Sequence, residues 1–509
     1  MDPKILRGLS ILIFAPLFLS SQPAEVPRTF CNPLNLNYRF MVDAIDAREA
    51  ADPVIVLFKD DYYLFASRSG GYWTSPDLRN WTLIIPQGLD LETYAPAVVA
   101  MRDSLFYIPS ANSQVYKTGD PKSGIWQKGA TVASYGDPDL FLDDDGRLYM
   151  YYGLSNASPT SVVELDPFTF QEKSNRVIIV RAQAAIHGWE RRGDDNLLDE
   201  VPWIEGSWAV KHDGKYYLTY AGPGTEFKTY ADGVYVSDSP LGPYTYADYS
   251  PYAFKPTGFI CGAGHGSTFK DKNGQYWHIG TMTISIQHMF ERRLGLWPVD
   301  FDAGQMRCNT VLGDYPHYLP GEKENMIEES YAGMLLLSHK KRVLASSSVD
   351  GHGIELAVDE DARTYWSAVS GDAGEWLLVD MGQECSVEAV QVNFAEHHTD
   401  PLLVRGRDKL LYQQYIIETS VDGMAFDVLV DKSDNLQDVP HDYIELAQAK
   451  AARFVKITNK YTPGDGFFAL RALRVFGNSS QATFTPVANF TVERSAADGR
   501  DAAISWPPV

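Results

Sequence analysis

Between residues 50 and 312 the hydrophobic and polar positions repeat one arrangement, a tight polar turn leading into a short aromatic run. The units are Asp60-Asp61-Tyr62-Tyr63, Asp103-Ser104-Leu105-Phe106-Tyr107, Asp145-Gly146-Arg147-Leu148-Tyr149, Asp213-Gly214-Lys215-Tyr216-Tyr217 and Asn273-Gly274-Gln275-Tyr276-Trp277. The first three recur about every 43 residues, and insertions lengthen the later intervals. Short aromatic and apolar runs bounded by such turns are strands, and a unit of this length holds four of them. Five units closing in a ring leave no long open edge. The pattern predicts an all-β fold led by a five-bladed β-propeller over residues 30–312.

A linker over 313–340 is punctuated by Pro, Gly and Glu322-Lys323-Glu324. Beyond it the alternation changes, with Glu375-Trp376-Leu377-Leu378-Val379-Asp380 and Ala452-Arg453-Phe454-Val455-Lys456-Ile457 as examples. Apolar and polar residues alternating over short segments predict a β-sandwich across 341–478. In the tail, 485–509, Asn489-Phe490-Thr491-Val492 and Ala503-Ile504-Ser505-Trp506 resemble the opening strands of a fibronectin type III domain. Two strands alone bury no core.

At the N-terminus, Lys4 and Arg7 precede an apolar run from Leu9 to Leu19 and small residues after it. This reads as an export signal over residues 1–22, too short for a membrane span and without a second flank. The expected location is periplasmic or extracellular, with no transmembrane segment. Four scattered cysteines show no metal-ligand spacing and make no framework; export permits a disulfide, with Cys261–Cys308 the leading pair, and the sequence leaves its presence open. A formal net charge of −22 excludes nucleic acid as partner, because phosphate binding requires a basic surface. It fits a neutral or basic ligand, or plain solubility.

Three carboxylates stand just before blade-opening strands: Asp52 before Pro53, Asp137 before Pro138, and Glu205 before Gly206. One Asp-Pro is an ordinary turn opener. Three isolated acids in successive repeats are different, because a propeller brings the starts of its inner strands to one axis. Cleaving a glycosidic bond needs such a set, an acid for the leaving oxygen and a base for water. Asp139 and Asp143 to Asp145 read as solvated turn acids, and Glu190 and Glu226 as rival acids outside the blade-opening motif.

The segments Ala51-Asp52-Pro53, Tyr94-Ala95-Pro96, Asp137-Pro138-Asp139-Leu140-Phe141, Glu205-Gly206-Ser207 and Gly264-His265-Gly266-Ser267, with Arg292 six residues before Pro298, resemble glycoside hydrolase family 43. The resemblance implies a five-bladed propeller that inverts anomeric configuration. It implies Asp52 as general base, Asp137 as modulator of the acid's pKa, and Glu205 as general acid, with Trp203, Ile204 and Trp208 helping to desolvate it. It implies Arg292 as a contact to sugar hydroxyls, with Arg293 as fallback, and Tyr94 and Trp73 as substrate contacts. His265 is implied to help hold a central ion, often calcium, or a water. Trp189, in an insertion, is either a sugar-stacking residue or a loop anchor.

No cofactor is required for the chemistry. The implied substrate is a plant-derived polysaccharide or oligosaccharide, and the implied activity that of an exo-acting α-L-arabinofuranosidase or β-xylosidase. The insertions 181–203 and 221–232 favour exo action by narrowing the axial mouth. Alternatives are a galactan-cleaving β-galactosidase and a non-catalytic carbohydrate-binding propeller. The related sucrose and fructan hydrolases open with Asn-Asp-Pro-Asn-Gly, which is absent. The sandwich resembles a discoidin-type (coagulation-factor type C) jelly roll, whose Asp359, Thr364 and Trp366 turn resembles a segment that often binds structural calcium. It serves either carbohydrate binding or packing against the propeller, and the sequence leaves the oligomeric state open.

Overall fold

A computed structural model describes residues 29–42, 47–91, 93–406 and 408–479, with the strands Thr491–Arg494 and Ala502–Ser505. The expected export segment lies outside these residues. Five antiparallel sheets of four strands span 54–84, 97–131, 139–180, 205–246 and 261–308, here blades 1 to 5, each paired in sequence order. The polar turns of the repeat are the hairpins joining first to second strands, as where Phe58 pairs with Asp61 and Met101 with Ser104. The first strands, Val54–Phe58, Ala97–Met101, Asp139–Leu142, Glu205–His212 and Cys261–Lys270, touch one another in a closed cycle around the axis.

Both faces of a blade are covered by its neighbours, which is why the runs are aromatic throughout. In Tyr72–Ser75, Tyr72 packs toward blade 2 with Tyr107 and Trp126, while Trp73 packs toward blade 5 with Trp277 and Leu294. Trp73 is wholly buried and its indole nitrogen donates to Asn37 Oδ1 at 2.7 Å. It closes the ring between the first and last blades and does not face a sugar, which corrects the expectation placed on it.

All four cysteines are free thiols. Cys261 and Cys308 lie on the first and fourth strands of blade 5. Three strand spacings of about 4.8 Å each separate those strands, twice the roughly 7 Å Cα limit for a disulfide. The leading pair is therefore excluded by its own sheet.

The sandwich is built on two long strands, Trp376–Phe394 and His441–Tyr461, whose register breaks let each serve both layers. Alternate residues such as Leu377, Val379, Val455 and Ile457 fill its core with Trp366 and Phe468. The connecting segment is tied at both ends. His317–Tyr318 pairs with Thr29–Phe30, and Leu335–Leu336 adds to the sandwich strand Ala469–Asn478. Near the C-terminus, Thr491–Arg494 pairs with Ala502–Ser505 as a lone hairpin. No helix among the described residues is long and apolar enough to cross a membrane.

Buried charges join the two domains. Arg48 donates to Glu396 at 2.6 Å and to Asp438 at 2.7 Å. Arg293 donates through Nε to His441 Nε2 at 2.8 Å and through its terminal nitrogen to the Arg48 carbonyl at 2.9 Å. Burial pushes His441 far below its ordinary pKa, aided by the nearby arginines, so the imidazole is neutral and able to accept. Arg471, 1% exposed, pairs with Glu291 at 2.7 Å.

Removing one partner of such a pair strands the other, at a cost of about 3–5 kcal/mol. Arg471→Ala is expected to lose about that much stability in urea denaturation. Tryptophan fluorescence should report both domains unfolding in one transition, whereas two separated transitions in the wild-type protein would contradict this coupling.

Candidate active site

The axial ends of the inner strands carry backbone that most residues avoid. Asp52, Ala95, Asp137 and His265 have φ of 51°, 40°, 43° and 46°, and Gly206 has 59°. A non-glycine residue held there costs about 1–2 kcal/mol, so each needs fixing by its surroundings. Asp52 N donates to Thr281 Oγ1 at 2.9 Å, and Asp137 N to Ser110 Oγ at 2.9 Å. The His265 amide donates to Asp232 Oδ1 at 2.8 Å. At Gly206 a Cβ would lie 2.4 Å from the His265 ring, so only glycine lets the imidazole approach.

These constraints bring the three acids together around His265. Its Nδ1 is 3.2 Å from Asp52 Oδ1 and 3.9 Å from Glu205 Oε1. The two oxygens are therefore no farther apart than the sum of those distances. Ligand atoms of Asp137, Glu205 and His265 all lie within 4.8 Å of one another. Glu205 accepts from Tyr230 Oη at 2.6 Å and from Trp203 Nε1 at 2.5 Å. Asp52 accepts the Ser67 hydroxyl, and Arg292 reaches it at 3.3 Å while gripping Glu49 at 2.5 Å and Thr225 at 3.1 Å. The acids, Tyr94, Trp203 and Phe290 line a cavity of about 630 Å³.

The environments push these groups apart. Burial raises Asp52, but Arg292, His265 and the Ser67 hydroxyl outweigh it and hold its carboxyl below the ordinary value. Burial, then the facing Glu205 carboxylate, pushes Asp137 well above the carboxylate range, against the pull of His265 and Ser110. Burial opposes charge on His265, yet the surrounding Asp52, Glu205 and Asp137 carry it up to about 10. These surroundings favour Asp52 as the anion, His265 as the cation and Asp137 as the neutral acid.

Residues 44–306 match the family model for glycosyl hydrolases family 43. The chain belongs to this family. Residues 343–473 match the F5/8 type C domain, in agreement with the observed sandwich. The chain is 26% identical over 280 residues to a xylan 1,3-beta-xylosidase of Vibrio sp, covering 48% of each protein. It is 33% identical over 158 residues to an arabinoxylan arabinofuranohydrolase of Paenibacillus polymyxa, covering 29% of this chain and 23% of that one. It is 25% identical over 240 residues to a beta-D-galactofuranosidase of Aspergillus niger, covering 38% and 63%. The chain thus spans less than two thirds of each of these curated relatives.

Of the other residues singled out by sequence, Tyr94 lines the cavity and accepts from Arg68 at 2.9 Å. Trp189 lies outside the cavity. Its indole donates to Tyr246 at 3.0 Å and packs on Tyr220, so it anchors the 181–203 insertion to blade 4. Glu190 is equally structural, wholly buried against Tyr220 at 2.7 Å, whereas Glu226 lines the cavity paired with Arg192. Trp203 hydrogen-bonds Glu205 where desolvation alone was expected, and Trp208 points away to the Thr268 carbonyl. Asp139 and Asp143 are not solvated. Asp139 is buried under the Ala209 amide and pushed up to about 8 by burial, and Asp143 pairs with Lys211 and Tyr216.

Calcium takes six to eight oxygen ligands. The axial trio offers two carboxylates and an imidazole whose Nδ1 faces Asp52, so waters would have to complete the shell of a calcium ion held there. In the sandwich turn, Asp359 accepts from Thr364 Oγ1 and the Asp361 amide, and no trio of metal-type side chains gathers there among the described residues.

Sequence reasoning missed Ser67, Ser110, Tyr230 and Glu49. Ser67 and Ser110 were within reach, since each stands two residues past the second strand of its blade, in Phe65-Ala66-Ser67 and Ile108-Pro109-Ser110. Glu49 was hidden by strand alternation, which sends successive residues to opposite faces. Glu49 and Arg292 face the cavity, while their neighbours Arg48 and Arg293 face the sandwich.

Arg292→Ala should raise the pKa of Asp52, moving the acidic limb of kcat/KM to higher pH. A limb that stays in place would contradict the Arg292–Asp52 coupling. His265 has its folded pKa raised, so its contribution to stability is complete below about 6.5 and is lost as pH climbs through about 10. The urea midpoints of wild type and His265→Asn are expected to converge across that window.

Proposed function

We propose that this family 43 glycoside hydrolase is an exported, inverting exo-glycosidase. It releases a terminal α-L-arabinofuranosyl or β-xylosyl unit from plant-type polysaccharide or oligosaccharide. One observation carries the reading: buried Asp52, its carboxyl held below the ordinary value by Arg292, His265 and Ser67, faces Glu205 across His265, with Asp137 pushed upward beside it. Environments that drive neighbouring carboxyls to different protonation states assign base and acid.

In this reading Asp52 Oδ1 takes a proton from a water as that water attacks the anomeric carbon. Glu205 delivers a proton to the leaving oxygen on the opposite side of the sugar. Asp137, pushed upward by burial and by the facing Glu205, stands on the same side as the acid. The Tyr230 hydroxyl and Trp203 indole then donate to the carboxylate left on Glu205 and stabilise its charge. Arg292 and His265 keep Asp52 ionised before attack. Inverting pairs stand about 6.5–9.5 Å apart and retaining pairs about 5–5.5 Å. The bound set by His265 reaches the lower edge of the inverting range. The relatives named for xyloside and arabinoxylan cleavage support a pentose, and the one named for galactofuranoside supports at least a furanose-sized pocket.

Aryl arabinofuranoside, xyloside and galactoside should be compared, with proton NMR of the first-formed anomer. Glu205→Gln is expected to lose about 10²–10⁴-fold on sugar leaving groups and far less on dinitrophenyl leaving groups, which need no acid. Asp52→Asn should lose activity on both. Full hydrolysis by a folded Glu205→Gln protein, or first release of the retained anomer, would defeat the assignment.

A further inference from the structure

A second cavity, of about 790 Å³, adjoins the catalytic one and shares Glu226 and Met289 with it as a common sill. Its walls come from three sources: the insertion at Gly193 to Leu198, the propeller loop Ser285 to Met289, and the sandwich through Arg363. Arg363 closes the outer wall, donating to Asp194 at 2.8 Å and to the Glu226 carbonyl at 3.1 Å. Gln287 ties the loop to the Glu396 carbonyl of the sandwich at 3.2 Å. Without the sandwich this space would be an open propeller rim.

The position of the acid says what the space is for. A general acid must face the leaving oxygen, so the leaving group lies on the acid's side of the reacting sugar. Glu205 is held by Trp203, and Trp203 belongs to the same insertion that walls the second cavity. Trp203 is 46% exposed beside the acid, and farther on Phe227 lies under Arg192 at 5.2 Å. Aromatic faces flanked by paired charged groups suit a hydroxyl-rich, uncharged chain. The carboxylates Asp194, Asp195 and Glu226 disfavour a uronic-acid polymer.

We infer that the cleft between propeller and sandwich binds the leaving-group portion of the substrate, a neutral glycan of at least two further sugar units. The sandwich thereby contributes Arg363 to substrate binding directly. This rests on the reading of Asp52 and Glu205 as base and acid and extends it to the class of leaving group.

The test compares kcat/KM on a neutral arabinoxylan or xylan oligosaccharide of at least three sugars with that on the matching aryl glycoside. Both are measured for the full-length protein and for Phe227→Ala and Arg363→Ala, with thermal unfolding as a control on folding. The wild-type protein should prefer the oligosaccharide. The variants should lose about tenfold on it, corresponding to about 1.4 kcal/mol of binding in the transition state, and stay within about twofold on the aryl glycoside. Parallel losses on both substrates, or unchanged oligosaccharide kinetics, would overturn the cleft assignment while leaving the catalytic one intact. Inactivity of the wild type toward the aryl glycosides and oligosaccharides alike would instead overturn the catalytic reading and the cleft with it.

Discussion

The guanidinium of Arg292, 2% exposed, is what allows a carboxylate to remain charged at the bottom of this protein. An unpaired ionised Asp52 at that depth would neutralise itself by taking up a proton. Arg292 prevents this, and Glu49 in turn fixes Arg292. Both belong to short stretches whose next residues, Arg48 and Arg293, are gripped by Glu396, Asp438 and His441 of the sandwich. The charge on Asp52 therefore rests on the domain interface. The sandwich is part of the frame that holds the charge, whatever else it binds.

The fold was legible because its signal is periodic. Five turn-plus-aromatic units specify five hairpins, and a blade covered on both faces tolerates no polar stripe, so the runs are apolar on every residue. The axial acids were legible for a related reason, since each opens an inner strand in Asp-Pro or Glu-Gly. The residues that support them were not. Ser67 and Tyr230 come from the connections beside other strands and meet their acids only in three dimensions.

The errors have one cause in common. Trp73 was expected to contact sugar, yet in a propeller the space between blades absorbs large rings first, and of the two readings open for Trp189 the loop anchor is the one its contacts match. Asp139 and Asp143 were read as solvated from their place in a turn-like run, whereas strand pairing carried them under neighbouring strands. Exposure is set by how blades stack, and one sequence window does not contain that information.

The left-handed backbone at the axis limits which amino acids can occupy it. Such φ values are tolerated by glycine and, among residues with chemistry, by Asp, Asn and His, while β-branched residues are nearly barred. Three of the five axial positions hold Asp, Asp and His. Glutamate has no such tolerance, and in blade 4 the left-handed place is taken by Gly206, with Glu205 one residue earlier. The difference between an Asp-Pro and a Glu-Gly opening is thus a matter of backbone as much as of acid strength. The geometry that closes the ring thus favours Asp and His at the axis on backbone grounds alone, and both can move protons, while blades 2 and 4 fill the same place with the inert Ala95 and Gly206.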